Sequence, residues 1–154
     1  MTRGPVGPSH TRPVNARQRG WRASQRASAW SVGRPAERTF RQADIPSVRR
    51  LAAEFGAATG IGRAQLPDFV LAVSEAAACA VAGGPGTARL RLWATGPRVF
   101  CDVRGDLTPR QRAGGPLYGE VEATRRRLLR QLCEYASVSS GPDGARVQLS
   151  VTVA

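Results

Sequence analysis

The sequence predicts an α/β fold, a two-layer sandwich with helices on one face of a mostly antiparallel sheet. Three observations predict it. Two apolar stripes of helical period lie between residues 45 and 81, and two period-two runs follow between residues 88 and 104. A third helical stripe and a closing alternating run complete the chain beyond a long Gly- and Pro-containing loop. The resulting order is (β)ααββαββ, and helices packed against one side of a sheet is the arrangement that order favours.

Each element has a local reason. Glu37 to Gln42 reads as a short first strand with Phe40 as its apolar member. Asp44-Ile45-Pro46-Ser47 is a helix start, since Pro is tolerated in the first turn and Asp or Ser caps. Val48, Leu51, Ala52 and Phe55 then repeat at i, i+3, i+4 and i+7, until Gly56, Gly60 and Gly62 weaken and end the helix. A second start falls at Leu66-Pro67-Asp68; Phe69, Val70, Val73, Ala77 and Ala80 form its apolar face, and Gly83-Gly84-Pro85-Gly86 stops it.

Ala88, Leu90, Leu92 and Ala94 alternate with Arg89, Arg91 and Trp93, the pattern of a half-buried strand. Gly96-Pro97 turns the chain into Val99, Cys101 and Val103, which alternate with Phe100, Asp102 and Arg104 to give a hairpin. Trp93 falls opposite the Leu90 and Leu92 side, which makes it either partner surface or part of a covered second face. Residues 105–118 form a polar loop long enough to be functional. Val121, Leu128, Leu132 and Ala136 fit a third helix. Val138 begins a strand, Gly141-Pro142-Asp143-Gly144 turns it, and Val147, Leu149, Val151 and Val153 form the last one.

Composition excludes several chemistries. All 23 basic residues are Arg, the sole His is His10 and the sole Asn is Asn15. Without Lys there is no Schiff base and no Walker-type phosphate loop. One terminal His rules out a His-based triad in the core and any multi-His metal site, so no metal ligand set is expected. Cys79, Cys101 and Cys133 are an odd, widely spaced set that reads as buried thiols in a reducing compartment. No apolar h-region of a signal peptide is present, and Ser74 and Glu75 interrupt the best apolar run, so a cytoplasmic protein without a membrane span is expected.

The charge is uneven. Of the net +12, residues 1–42 hold nine Arg against Glu37 alone, whereas residues 43–154 hold 14 Arg against ten acids. Residues 1–35, with Gly4, Pro5, Gly7, Pro8 and Pro13, read as a disordered basic arm ahead of a domain spanning 36–154. Trp21 and Trp30 among Arg17, Arg19, Arg22 and Arg26 suit single-stranded nucleic acid. The alternative is a tail without a role, ahead of a true start at Val14 or Val32.

Against this background four strings stand in a recognisable order. Leu71-Ala72-Val73-Ser74-Glu75-Ala76-Ala77-Ala78-Cys79-Ala80-Val81 resembles the N-box helix of the GHKL ATPases, the histidine-kinase-like superfamily. Ser47-Val48-Arg49-Arg50 resembles the first helix of its small anti-sigma regulatory factors, which are serine-protein kinases. Arg130-Gln131-Leu132-Cys133-Glu134 and Val138-Ser139-Ser140-Gly141-Pro142-Asp143-Gly144 resemble their last helix and closing hairpin. The likeness runs from about Arg38 to Val153 and implies a Bergerat-type sandwich that binds ATP with Mg²⁺. It further implies a sigma factor or a STAS-type anti-sigma antagonist as partner, with a homodimer also allowed.

The resemblance implies site residues one by one. Glu75 takes the place of the catalytic base for the attacking hydroxyl or water. Four residues on, where the family has the Asn that holds Mg²⁺, this chain has Cys79, and a thiol is a poor ligand for a cation that wants oxygen. The adenine-binding Asp falls on Gly105, with Asp106 one place later; a one-residue slip with a bulge would bring Asp106 to the base. Gly114 and Gly115 remain of the glycine-rich phosphate lid. Arg125-Arg126-Arg127 stand at the entrance of the last helix, either as phosphate ligands or as a solvated face. Two functions follow as expectations: an ATP-dependent anti-sigma kinase, or a pseudo-ATPase that kept the fold and the partner surface without the nucleotide.

Overall fold

A computed structural model describes residues 34–81, 86–105, 119–141 and 144–153. The first strand, β1 (Ala36–Phe40), buries Phe40 at its end and is shorter than the run expected to Gln42. The chain leaves it through a 3₁₀ turn over Gln42–Asp44. Asp44 spends its carboxylate on that turn, accepting from the Arg41 amide at 2.9 Å, rather than capping the helix behind it. Helix α1 (Ile45–Ala58) starts with Pro46 in its first turn, where a missing N–H costs nothing. It buries Val48 and Ala52 fully, with Leu51 and Phe55 half-buried against the core.

Helix α2 (Leu66–Val81) is the central helix. Phe69, Ala72, Val73, Ala76, Ala77 and Cys79 are fully buried, because it lies between α1, the sheet and the third helix. Its Ala-rich face lets the helix backbone approach the strands closely, a point that matters at Gly105. Strands β2 (Ala88–Thr95) and β3 (Arg98–Gly105) form the expected hairpin. Its two-residue turn opens on Gly96 with φ 57°, the glycine-first pattern that suits the twist of paired strands.

Helix α3 (Gly119–Leu132) stops at Leu132, and β4 (Tyr135–Gly141) follows within three residues. Ala136 is therefore a strand residue and not the last member of the helical stripe, and β4 begins at Tyr135 rather than Val138. Its register explains this. Ala136 pairs with Leu149 and Val138 with Val147 of β5 (Gly144–Thr152), so both apolar residues face the helices.

The sheet has the order β1-β2-β3-β5-β4 and every neighbouring pair is antiparallel. The fold is thus the two-layer α/β arrangement that the periodicities predict. Leu90, Leu92, Val99, Val103, Val147 and Leu149 point toward the helices and close one core with Val48, Phe69, Val73 and Leu129. The opposite face carries a second, smaller cluster. Trp93 stacks on Phe100 at 5.3 Å with Tyr135 beside them, and the Arg91 guanidinium lies 5.2 Å over the indole. Trp93 is 1% exposed, so it is a covered residue and not free partner surface. No helix among the described residues is long and apolar enough to cross a membrane.

Candidate functional site

Of the residues singled out from the sequence, Glu75 and Cys79 lie on α2 and Gly105 lies against its last turn. Glu75 is half-buried on the flank of that helix, and its Oε2 lies 3.7 Å from Nε of Arg125 on α3. One turn later Cys79 is fully buried within the main apolar cluster. Spacing of four residues places both on one side of the helix, as expected. The two nonetheless live in different media: Glu75 is in reach of water and a cation, Cys79 is in the dry core.

That difference decides the fit of Mg²⁺. The ion holds oxygen ligands and keeps several waters, so its position must be polar and open. The Cys79 thiol is soft, and it is fully buried within the main apolar cluster. Among the described residues, no group of three His, Cys, Asp or Glu is placed to hold a metal ion. The described residues at this position do not fit Mg²⁺.

Gly105, the position at which the resemblance would put an adenine-binding Asp, ends β3 on the helix-facing side of the sheet, paired with Ala88 and Ala145. A Cβ at this position would overlap the carbonyl oxygen of Ala80 on α2. The slot accepts no side chain at all, so an acid cannot stand there without moving the helix. Asp106, Gly114 and Gly115 lie outside the described residues, as does the basic arm as far as residue 33.

Arg125-Arg126-Arg127 lie in the middle of α3 and not at its entrance, because the helix begins at Gly119, and their side chains separate. Arg125 holds Glu75, and Arg126 donates from Nη2 to the Val138 carbonyl at 3.1 Å, tying α3 to β4. Arg127 alone is exposed. Two of the three are therefore structural ties between elements.

Sequence reasoning missed two participants. Ser74, 2% exposed, accepts at 2.8 Å from Nε of Arg49 and links α1 to α2 one residue before Glu75. A hydroxyl in the middle of an apolar helix was the available signal, since buried polar groups find partners. The other is Arg125, which only the docking of α3 against α2 brings to Glu75.

Burial holds two of the thiols in their protonated form. Burial pushes Cys133 up to about 12, with the Asp68 charge adding to it. Burial likewise raises Cys101 well above its ordinary value, helped by Asp102 and Cys133. All three cysteines are buried and none forms a disulfide, as the spacing suggested.

Two of the cavities are lined entirely by described residues, and neither of these two includes Glu75, Cys79 or Gly105. One, of about 490 Å³, is an apolar groove along α1 and α2 lined by Ala53, Leu66, Pro67, Val70 and Leu71, with Arg49 and Arg63 at its rim. Leu71 is 42% exposed there, the one large apolar side chain among the described residues left open to water. The other, of about 320 Å³, lies on the far face of the sheet between Glu37, Arg89, Arg91, Asp102 and Arg104.

No protein-family model matches this chain, and no curated protein matches it either.

Proposed function

We propose that this protein is a regulatory binding module of the anti-sigma type that works by contact with its partner and not by phosphoryl transfer. The observation that carries the reading is Cys79, a soft thiol sealed in apolar core at the position where the resembling ATPases need an oxygen ligand for Mg²⁺. Gly105 adds to it, because the close approach of Ala80 leaves no space for an adenine-binding side chain. Glu75, the base in the resembling kinases, is held here by Arg125.

The partner class, a sigma factor or a STAS-type antagonist, rests on the resemblance of the four strings. The groove between α1 and α2 supports contact with a protein. It offers an apolar floor with Leu71 exposed, and Arg49 and Arg63 at its edge complement an acidic rim on a partner.

Two titrations of the full chain test the reading. Calorimetry is expected to show no adenine-dependent binding, with Mg-ATP giving no more heat than Mg-tripolyphosphate; micromolar Mg-ATP affinity that is lost on Asp106→Ala would overturn it and restore the kinase. Titration with sigma factors and STAS-domain proteins encoded beside it is expected to find one binder, at least tenfold weaker with Leu71→Glu. Failure of every such protein to bind removes the anti-sigma assignment.

A further inference from the structure

The strand register places three arginines in one row across the far face of the sheet. Arg89 pairs with Arg104, and Arg104 with Arg146, so β2, β3 and β5 each contribute a guanidinium to the same line. Residues opposite each other in antiparallel strands have Cβ atoms only ~4.5–5.5 Å apart, and like charges so placed repel. The next row runs Glu37, Arg91, Asp102 and Gln148, and it supplies the compensation.

Asp102 is 6% exposed, and its two oxygens accept from Nε and Nη2 of Arg146 at 3.0 and 3.2 Å and from Nε of Arg104 at 3.3 Å. One carboxylate thus orients two arginines. Glu37 is committed to Arg91 at 3.3 Å. Arg89 has no carboxylate within ion-pair distance among the described residues, and it is exposed at the mouth of the 320 Å³ cavity. The described residues of this face bear five arginines, Arg89, Arg91, Arg98, Arg104 and Arg146, against the carboxylates of Glu37 and Asp102.

We infer that this row is a binding site for an oligophosphate anion. Guanidinium forks match phosphate oxygens two bonds at a time, and here a buried acid has already fixed the orientation of two of them. An anion across Arg89 and Arg104 neutralises the repulsion that Asp102 leaves over. A single carboxylate spans one guanidinium; linked phosphates reach from one strand to the next and suit the row. Two rows along the same face, Trp93 and Phe100 are 1% and 3% exposed, so among the described residues this aromatic pair offers no ring for a base to stack on. Recognition is therefore of the phosphates and not of a nucleobase. The site lies on the face opposite α2 and does not depend on the anti-sigma reading.

The test is titration of the full chain with tripolyphosphate, free of divalent cations and at low ionic strength, by calorimetry. Arg89→Ala and Arg104→Ala are expected to weaken binding at least tenfold. Arg50→Ala and Arg130→Ala, equal in charge but exposed on the helical layer, are expected to stay within twofold of the parent. Arg89→Lys, which keeps charge but loses the fork, is expected to recover only part of the affinity. Pyrophosphate and ADP are expected to bind alike. Equal losses in all four alanine variants, or no binding by the parent chain at millimolar tripolyphosphate, would overturn the site. ADP binding tenfold tighter than pyrophosphate would overturn the base-independent recognition. An oligonucleotide that outcompetes tripolyphosphate through the same Arg89 and Arg104 would reassign the row to nucleic acid. Arg89 is exposed, so its variants retain the fold and read the outcome even if Arg104→Ala does not.

Discussion

Gly105 and Ala80 meet where the last residue of β3 runs under the C-terminal turn of α2, so closely that a Cβ on Gly105 would overlap the Ala80 carbonyl oxygen. The contact is backbone on backbone, which leaves no flexible side chain to move aside. It also closes the corner between helix and sheet where the resembling ATPases place an acid.

Gly105→Ala is therefore expected to destabilise the fold by about 3 kcal/mol, the upper range for overpacking, and Gly105→Asp by more. Urea unfolding followed by circular dichroism measures it. A loss below about 1 kcal/mol would mean that the helix end yields easily.

Cys79→Asn restores the residue type of the resembling ATPases but sets an amide in dry core. It is expected to cost about 2 kcal/mol, from taking a polar amide out of water into the core, and to confer no Mg-ATP binding. Urea melts and calorimetry on the same variant check both halves. Recovery of nucleotide affinity would show that Cys79 alone was the defect.

Glu75→Gln is expected to change stability by less than about 1 kcal/mol, because the pair with Arg125 is partly solvated on both sides. The change should shrink further as salt is added. It is also expected to leave partner affinity within twofold. A tenfold loss would place Glu75 in the partner surface.

Stability should fall on the alkaline side. The Cys133 thiol titrates near its ordinary 9.0 when unfolded and near 12 when folded, because burial disfavours the thiolate. Between those values the unfolded chain has released the proton and the native one still binds it, so stability declines as pH rises. Each pH unit in this window removes up to ~1.4 kcal/mol, and below about pH 9 the effect is absent. Cys101, raised in the same direction, adds to the decline. Urea melts of the parent and of Cys133→Ala between pH 8 and about 11 separate the thiol from tyrosine titration; equal slopes would refute it.

Much of this architecture was legible in local pattern. The stripes at Val48 to Phe55 and Phe69 to Ala80, the alternation on either side of Gly96-Pro97 and the closing run at Val147 to Val151 each carry their own period. Burial on one face of a helix or strand leaves that mark in sequence. Ala136 was misread because a residue that is apolar at both helical and strand spacing is ambiguous until Leu132 is known to end the helix. The Glu75 and Cys79 pair was readable too, since both lie on one helix four residues apart.

What the sequence determined by itself was the two-layer class, the apolar residues that would be buried and the identity of two side chains, Glu75 and Cys79, one turn apart on one helix. The tertiary structure alone decided what those positions can do. Arg125 reaches Glu75 from another helix, Ala80 denies space at Gly105 from another layer, and Arg89, Arg104 and Arg146 become one row through strand register. Each of these relations joins residues 20 or more apart or in different elements, and only chain packing sets such distances. The +12 charge is similar. Its sum is a property of composition, but the row that makes it a site exists only when three strands pair.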